Sequence, residues 1–435
     1  MLEKKETIFA LSTPTGKSAL AVIRISGEKS YSLVETFSSN MPKKANIATF
    51  NNLVTKKNEV IDQTITTFFK KPKSFTGEDM VEISIHGSNA VIKKALSIFS
   101  NISGVRLSVP GEFTRRAFEN NKLDLTQVEA IADIIDAETE MQRAQAISHL
   151  SGNFYKNTRE IFDMLKNILA NVEARIDFSD EDLPEDLVEN NKEQIKNIIK
   201  KINNILKGSA SSLSIRDGFI IPILGKPNTG KSSFINNISG RDIAIVTELP
   251  GTTRDIIESF LDIDGYPVKF LDTAGIRESE DVIEKIGIEK TLSISKGSDL
   301  NIVFIDKKND IDEFKDIKNP VYVMSKQDKT KNPFKQDFFY NISSKSNFGI
   351  SDLLKIIKEK IKRKTLHENS HISRERHIVC LKSTLWHLEN TKKIKNIDLF
   401  AEDLRLALKK LSSLFGSVDI EDILDIIFSD FCIGK

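Results

Sequence analysis

The hydrophobic positions change texture three times along this chain. From Thr7 to about Lys122, short apolar runs such as Leu20–Ile25 and Met80–Ile85 alternate with turn residues, and a helical pattern lies among them from Ala90 to about Phe99. Short strands around a helix predict a compact α+β domain over residues 1–122. From Leu123 the spacing becomes helical: Leu125, Val128, Ala132 and Ile135 share a face, and Thr158–Ile176 and Lys192–Leu206 continue the pattern. Such stripes predict helices that each bury one side, over 123–216. Between the last two lies Ser179–Asp186, acidic and proline-containing, which reads as a solvated connector. The apolar run Phe219–Leu224 then opens an α/β alternation that lasts to about Lys364, a domain placed at 217–370. Helical spacing returns over Ser373–Asn390, Ala401–Phe415 and Ile420–Phe431, within 371–435. Helices on either side of an insertion cannot each bury an apolar face alone. The simplest arrangement is therefore one helical domain, 123–216 with 371–435, interrupted by the α/β domain; two separate bundles are the alternative. Pro222 conflicts with a central strand because it lacks an N–H, and predicts a strand edge or an irregularity there.

Composition narrows the class. At 435 residues the chain has room for two to four domains. Lys+Arg 63 against Asp+Glu 62 leaves a net charge of +1, so no whole-chain field draws it to nucleic acid or membrane, and any RNA contact must be local. Two cysteines, Cys380 and Cys432, suit a reducing compartment better than a disulfide framework. No run approaches the roughly 20 apolar residues of a membrane span, and Met1–Lys5 lacks a signal peptide's apolar core. The expectation is a soluble cytoplasmic protein.

The chemistry is densest after Phe219–Leu224. Gly225, Lys226, Pro227, Asn228, Thr229, Gly230, Lys231, Ser232 and Ser233 form a GxxxxGKS phosphate loop between an apolar strand and a helix-compatible continuation. Backbone N–H groups converge there on a polyphosphate; Lys231 would face the outer phosphates, Ser232 would offer its hydroxyl to Mg²⁺, and the helix dipole favours the anion. Downstream, Thr247, Glu248, Leu249, Pro250, Gly251, Thr252 and Thr253 make a polar switch segment. Asp272, Thr273, Ala274 and Gly275 end a strand in Asp-x-x-Gly, whose aspartate holds Mg²⁺ through water. Ser325, Lys326, Gln327 and Asp328 put a carboxylate after a strand, where it accepts from guanine N1–H and the exocyclic amine, a pair adenine lacks. Ser343, Ser344 and Lys345 resemble the loop that covers guanine O6. Four motifs in this order point to a GTPase. Two features depart from the usual pattern: Ser325 stands where an asparagine normally ties the base loop to the phosphate loop, and Ile276 follows Asp-x-x-Gly, where Ras-like proteins have a water-orienting glutamine. Another group must orient the water, and Arg277–Gly287 offers several carboxylates. Asn228 beside the oxygen-rich switch loop suggests a monovalent cation in place of an arginine finger.

Beyond these motifs, the chain resembles the tRNA-modification GTPase MnmE (TrmE) family along essentially its whole length. The phosphate loop with Pro250–Asp255 would fit the wider group that includes Era and EngA; Pro110–Phe118, Asn121–Leu125, Ser74–Asp79 and the ending Cys432, Ile433, Gly434, Lys435 are more specific. The resemblance implies a multidomain chain: an α+β folate-binding, dimerising amino-terminal domain like glycine-cleavage T-protein, an α-helical domain, and an inserted α/β P-loop GTPase domain. It implies a site for 5-formyltetrahydrofolate or a related tetrahydrofolate at Arg24, Glu82, Lys122 and Lys435, which read singly as structural residues. It implies K⁺ at Asn228, Thr247, Leu249 (by its carbonyl) and Thr252, Mg²⁺ at Ser232 and Thr253, and a water oriented by Glu284. It implies a homodimer that works with the flavoprotein MnmG, in a heterotetramer or larger, to place an aminomethyl-type group on carbon 5 of the wobble uridine of certain tRNAs. Cys432 is a candidate nucleophile or acid, with packing as the plainer reading. Rival readings are an Era-like regulatory or ribosome-assembly switch and a folate-dependent methyltransferase with an incidental GTPase. Cys380 reads as core, His367, His371 and His377 as solvated or helix-surface residues, and the basic run Lys355–Lys364 as the wet face of a helix.

Overall fold

The computed structural model describes residues 6–177, 186–240, 257–272, 294–329, 339–365, 372–394, 396–416, 427–428, 431 and 434. Contacts divide the chain into two units, one running to Ala132 and including the residues from Phe415 onward, the other running from Asp133 to Leu414. The carboxyl-terminal residues therefore group with the amino-terminal unit.

In the first unit, β1 (Thr7–Leu11), β2 (Ser18–Ser26), β3 (Thr49–Val54), β4 (Val60–Phe69), β5 (Met80–Gly87) and β6 (Val105–Leu107) form a sheet in the order β3-β4-β5-β2-β1-β6. Helices α1 (Ser30–Thr36), α2 (Asn89–Ser100) and α3 (Glu112–Glu119) accompany it, and α4 (Leu125–Ile135) leads onward. Alternation along β2 and β5 turns Ile23, Ile25, Val81, Ile83 and Ile85 into a core with Phe9, Phe37 and Phe99. The Ser88 hydroxyl caps α2 by accepting from Val91 N–H. A second cluster joins Leu125 and Val128 of α4 to Ile427, Phe428 and Phe431, which is why the last residues belong to this unit.

In the second unit, α5 (Glu140–Leu150), α6 (Asn153–Asp177), α7 (Asp186–Leu206) and α8 (Ser209–Asp217) precede an α/β domain. Its sheet, β12-β11-β10-β7-β9-β8, combines β7 (Phe219–Gly225), β8 (Ile257–Ile263), β9 (Tyr266–Asp272), β10 (Asn301–Ile305), β11 (Pro320–Met324) and β12 (Phe339–Asn341), with α9 (Lys231–Ser239) and α10 (Ile350–Thr365). All pairings are parallel except β8 with β9. After it come α11 (Glu375–Asn390) and α12 (Ile397–Ser412), which pack with α6. Ile161, Leu165, Ile168 and Val172 of α6 and Leu404, Ala407 and Leu411 of α12 are buried, as their helical spacing requires.

Three expectations change. Pro222 is not at a sheet edge: β7 is interior, and Pro222 pairs with Leu271 of β9. The ladder to β10 starts at Ile223, so the missing N–H falls at the end of that ladder. Cys380 is half-buried, its Sγ 3.2 Å from Ser413 Oγ, because α11 turns it toward the end of α12 rather than into the core. His377 is fully buried and stacked on Phe154 at 4.7 Å; α11 points it inward beside Ile378, so it is neither solvated nor on the helix surface. In α10, Ile357 and Ile361 are buried while Lys355 is exposed. No helix among the described residues is long and apolar enough to cross a membrane.

Candidate nucleotide and amino-terminal sites

The parallel register sets the first site. Ile223 of β7 lies opposite Asp272 of β9, so both strands end at one rim, where parallel α/β sheets collect ligands. The chain turns at Gly225 with φ +136°, and a Cβ there would overlap the Phe304 carbonyl, so only glycine fits. Gly230, in a left-handed conformation, starts α9. Lys231, 5% exposed, donates from Nζ to the carbonyls of Gly225 (2.8 Å) and Lys226 (2.7 Å), and the Thr229 hydroxyl donates to Lys226 O at 2.8 Å. The loop is thereby closed on itself with α9's first N–H groups pointing into it. Ser232 Oγ donates to Asp272 Oδ2 at 3.0 Å, and Asp272 is buried. Two hard oxygens meeting beside an ammonium group suit Mg²⁺ and phosphate. Ser233 is exposed on α9.

The base loops are tied to this cradle. Ser325 Oγ donates to Thr229 O and Lys326 Nζ to Asn228 O. The serine therefore makes the tie expected of an asparagine. It does so with a shorter arm, and a Cβ on Gly230 would lie 2.7 Å from its Oγ. Asp328 accepts from Ser343 Oγ at 2.8 Å, and Gln327 N–H donates to Ile342 O at 3.2 Å, so the loops bearing Asp328 and Lys345 form one rim. Asn228 has φ +62° within the loop, and Lys345 is exposed. Two anchors carry no motif. Asn237 of α9 donates to Ser344 O and to Asn347 Oδ1, both at 2.8 Å. Lys226 pairs with Asp310 at 2.8 Å and Glu313 at 2.6 Å; these hydrogen bonds, Asp310 first, raise the ammonium above its ordinary range and hold Asp310 low. Thr247, Glu248, Leu249, Pro250, Gly251, Thr252, Thr253, Thr273, Ala274, Gly275, Glu284, Cys432 and Lys435 lie outside the described residues.

In the amino-terminal unit, Arg24 of β2 sits opposite Glu82 of β5. Its Nε and Nη2 lie 2.9 and 2.8 Å from Glu82 Oε1, and its guanidinium is 5.5 Å from the Phe75 ring centre and 5.8 Å from that of Phe113. Gly434 brings the chain end here: its carbonyl accepts from Ser12 Oγ at 3.0 Å and from Arg24 Nη1 at 3.4 Å. Its φ is +98°, and a Cβ would overlap Leu11 O. Lys122 Nζ donates to Pro72 O at 3.0 Å. A second charge cluster reaches the strand of Arg24 two residues on, at Ser26. Arg116, 3% exposed, meets Glu78 at 3.0 Å, Glu112 at 2.9 Å and the Glu6 carbonyl at 2.9 Å, while Ser26 links Thr76 and Glu78 at 2.7 and 2.8 Å. Burial works to raise the Glu112 carboxyl, but hydrogen bonds from Arg106, Val109 N–H and Arg116 outweigh it and hold the group below its ordinary value. The runs Ser74–Asp79 and Pro110–Phe118 are thus two halves of one network.

Comparison with known proteins gives the family. The family model of the MnmE helical domain matches residues 125–432, and that of the GTP-binding protein TrmE N-terminus matches 7–122. A tRNA modification GTPase MnmE from a Wolbachia of Brugia malayi is 39% identical, with all of this chain and all of the relative covered. That of Pelagibacter ubique is 42% identical over 99% of this chain and 100% of its own. The chain belongs to the MnmE family. The MnmE helical match, 125–432, encloses the whole α/β sheet between β7 and β12. Among solved structures, Era in complex with MgGDPNP and nucleotides of 16S ribosomal RNA is similar over 33% of this chain and 56% of its own, at 25% identity and a TM-score of 0.27. In this MnmE-family chain, sequence reasoning passed over Asn237, Asp310, Glu313 and Ser12. No local signal marks them, since each acts through an element distant in sequence.

Proposed function

We propose that this chain is a K⁺-stimulated, Mg²⁺-dependent GTPase of the cytoplasm that acts as a homodimer with the flavoprotein MnmG. Together they add a carboxymethylaminomethyl-type group to carbon 5 of the wobble uridine of certain tRNAs, with a tetrahydrofolate as one-carbon source. The observation that carries this reading over an Era-like switch is the approach of Gly434 to Arg24 and Ser12, which joins the two chain ends at a charged site that a switch GTPase does not need.

The residues suit the groups they would hold. Ser232 and Asp272, 3.0 Å apart, offer oxygens to Mg²⁺, with Thr253 completing the set; the ion would neutralise charge developing on the phosphates. Lys231 would hold the outer phosphates and Asp328 the guanine edge. Asn228 would contribute to K⁺ with Thr247, Leu249 and Thr252, and Glu284 would orient the attacking water where Ile276 cannot. Arg24, with Glu82 and two aromatic rings, offers a donor, an acceptor and apolar faces, a set that fits a pterin and its acidic tail; Lys122 and Lys435 would add positive charge. An ion pair whose side chains are 19% and 27% exposed contributes about 1 kcal/mol at most, so stability alone is a weak reason for Arg24 to be there. Cys432 would serve as nucleophile or acid.

The dimer has support in the sheet edge. Phe50 of β3 and Ile65 of β4 are register partners, 64% and 50% exposed, on the β3 side of the sheet, an exposed apolar pair that a second copy would cover. The decisive experiment is mass spectrometry of wobble uridines from cells lacking this protein. Loss of the carbon-5 group, restored by the gene, is the expected result; normal modification contradicts the reading.

A further inference from the structure

The α/β domain is joined to the helices by two covalent crossings, at Asp217–Phe219 and after Thr365. An arginine marks each: Arg216 in the last turn of α8, and Arg374 just before α11. Both reach one acceptor. Asp133 Oδ1, on the last turn of α4, accepts from Arg216 Nε at 2.9 Å and from Arg374 Nη2 at 2.7 Å, and the carboxylate side chain is only 10% exposed.

The surroundings separate what moves with each side. Helix α8 is fastened to the α/β domain: Ser211 Oγ donates to Lys364 O at 3.0 Å, and Ser214 Oγ to Asp299 Oδ1 at 3.1 Å, while Asp299 Oδ2 accepts Ile220 N–H at 2.9 Å. Helix α5 meets this assembly along one line. Gln142 Nε2 donates to Arg216 O and Gln145 Nε2 to Ser212 O, both at 2.9 Å. Met141 N–H donates to Gly265 O at 3.0 Å, at the turn of the β8–β9 hairpin, and β9 ends on Asp272 in the nucleotide site. A buried carboxylate between two guanidinium groups is a poor stabiliser compared with apolar packing, because its desolvation offsets most of the attraction. What it supplies is direction, since charge-assisted bonds to planar guanidinium groups fix both donors relative to the acceptor.

We propose that Asp133 is the positioning residue about which the nucleotide domain turns. It holds the entry and exit crossings at a common point, so a change at Asp272 and the phosphate loop rotates the domain as a body instead of letting it swing on two linkers. Asp133 acts through Arg216 and Arg374 and has no place in the nucleotide site. The proposal rests on the GTPase reading above.

The test uses the full chain with Cys380 and Cys432 replaced by serine and spin labels attached at Lys196→Cys in α7 and Lys355→Cys in α10. Electron–electron resonance should give a narrow distance distribution in GDP and another in GDP with aluminium fluoride. In the labelled chain Asp133→Ala should widen both about twofold; in the chain that keeps its own cysteines it should lower wobble-uridine modification about tenfold, leave intrinsic GTP turnover within about twofold, and be largely rescued by Asp133→Glu. Arg374→Gln removes one arm and should give an intermediate width, which keeps the test open if Asp133→Ala fails to fold. Unchanged distributions in these variants overturn the proposal. A parallel loss of GTP turnover and modification also overturns it, since that would make Asp133 part of the nucleotide domain's own folding. A parent chain that does not hydrolyse GTP would instead refute the GTPase reading, and the distance widths would still decide the pivot.

Discussion

The two sites are built from different materials. At the nucleotide site most of the geometry is loop backbone held by short ties: Lys231 on two carbonyls, Ser325 on Thr229 O, Lys326 on Asn228 O, Asn237 on Ser344 O. At the amino-terminal site the key groups are side chains on adjacent strands, with Arg24 and Glu82 opposed by the β2–β5 register and the Arg116, Glu78 and Glu112 cluster joined to β2 through Ser26. A loop site depends on each tie for its shape. A strand site keeps its shape without any one of its charges, and spends those charges on binding or on the ion pairs around it.

The largest effect expected from this contrast is at Lys231. Its ammonium closes the loop and, in the proposed function, would also hold the outer phosphates, so Lys231→Ala should lower GTP kcat/KM about 10³-fold, in the range seen when a charged transition-state contact is removed. The affinity for 5-formyltetrahydrofolate, measured by fluorescence quenching, should stay within about twofold. A matching loss of folate affinity would break the separation of the two sites. Next comes Glu112. Removing one member of a buried ion pair is expected to cost about 3 kcal/mol, so Glu112→Gln should lower the unfolding midpoint of the amino-terminal unit. The sign of its pH dependence follows from a folded pKa below the ordinary value of 4.5. The stabilisation is fully present above that value and is lost as pH falls through the lower, folded value. Urea titrations from pH 7 to pH 3 should show the wild-type chain losing stability in acid and Glu112→Gln losing less; equal slopes would show that Glu112 is not the titrating group.

The same contrast explains what could be read before the structure. The phosphate loop, Asp272 and Asp328 are legible because backbone cradles and strand-end carboxylates require particular residues at fixed local spacing. Arg24 and Glu82 are 58 residues apart, and only strand register makes them neighbours, so no periodicity marks them. Helix α5 escaped because its apolar positions form no clear stripe, although Thr139 and Gln142 spell a capping box in the sequence. Helix α8 is short and serine-rich, and its role as a bracket depends on Lys364 and Asp299 far along the chain. Pro222 was legible as a conflict, yet its resolution required knowing where the β10 ladder begins.

A smaller effect is expected at Arg24. Because β2 and β5 hold the geometry, Arg24→Ala should leave the fold intact and weaken 5-formyltetrahydrofolate about 30-fold, the loss of one charge-assisted contact together with its aromatic packing. Glu82→Gln should weaken it less, since the guanidinium remains. Circular dichroism and GTP turnover should be unchanged in both. Loss of secondary structure in Arg24→Ala would show that this site, like the loop site, depends on its ties.

The smallest predicted effect sharpens the loop side. Ser325 makes one hydroxyl-to-carbonyl bond between the base loop and the phosphate loop, and a neutral hydrogen bond contributes about 1 kcal/mol net. Ser325→Ala should therefore raise the dissociation constant for GDP about fivefold through faster release, with discrimination of guanine from adenine nucleotides kept by Asp328. Ser325→Asn has a longer arm in a space where Gly230 already lies close, so it should not tighten binding beyond the wild type. Stopped-flow release of a fluorescent GDP analogue measures both. A Ser325→Ala release rate equal to wild type would mean that Lys326 on Asn228 O holds the two loops together without help. Tighter binding in Ser325→Asn would mean instead that the close approach at Gly230 relaxes to admit the longer side chain.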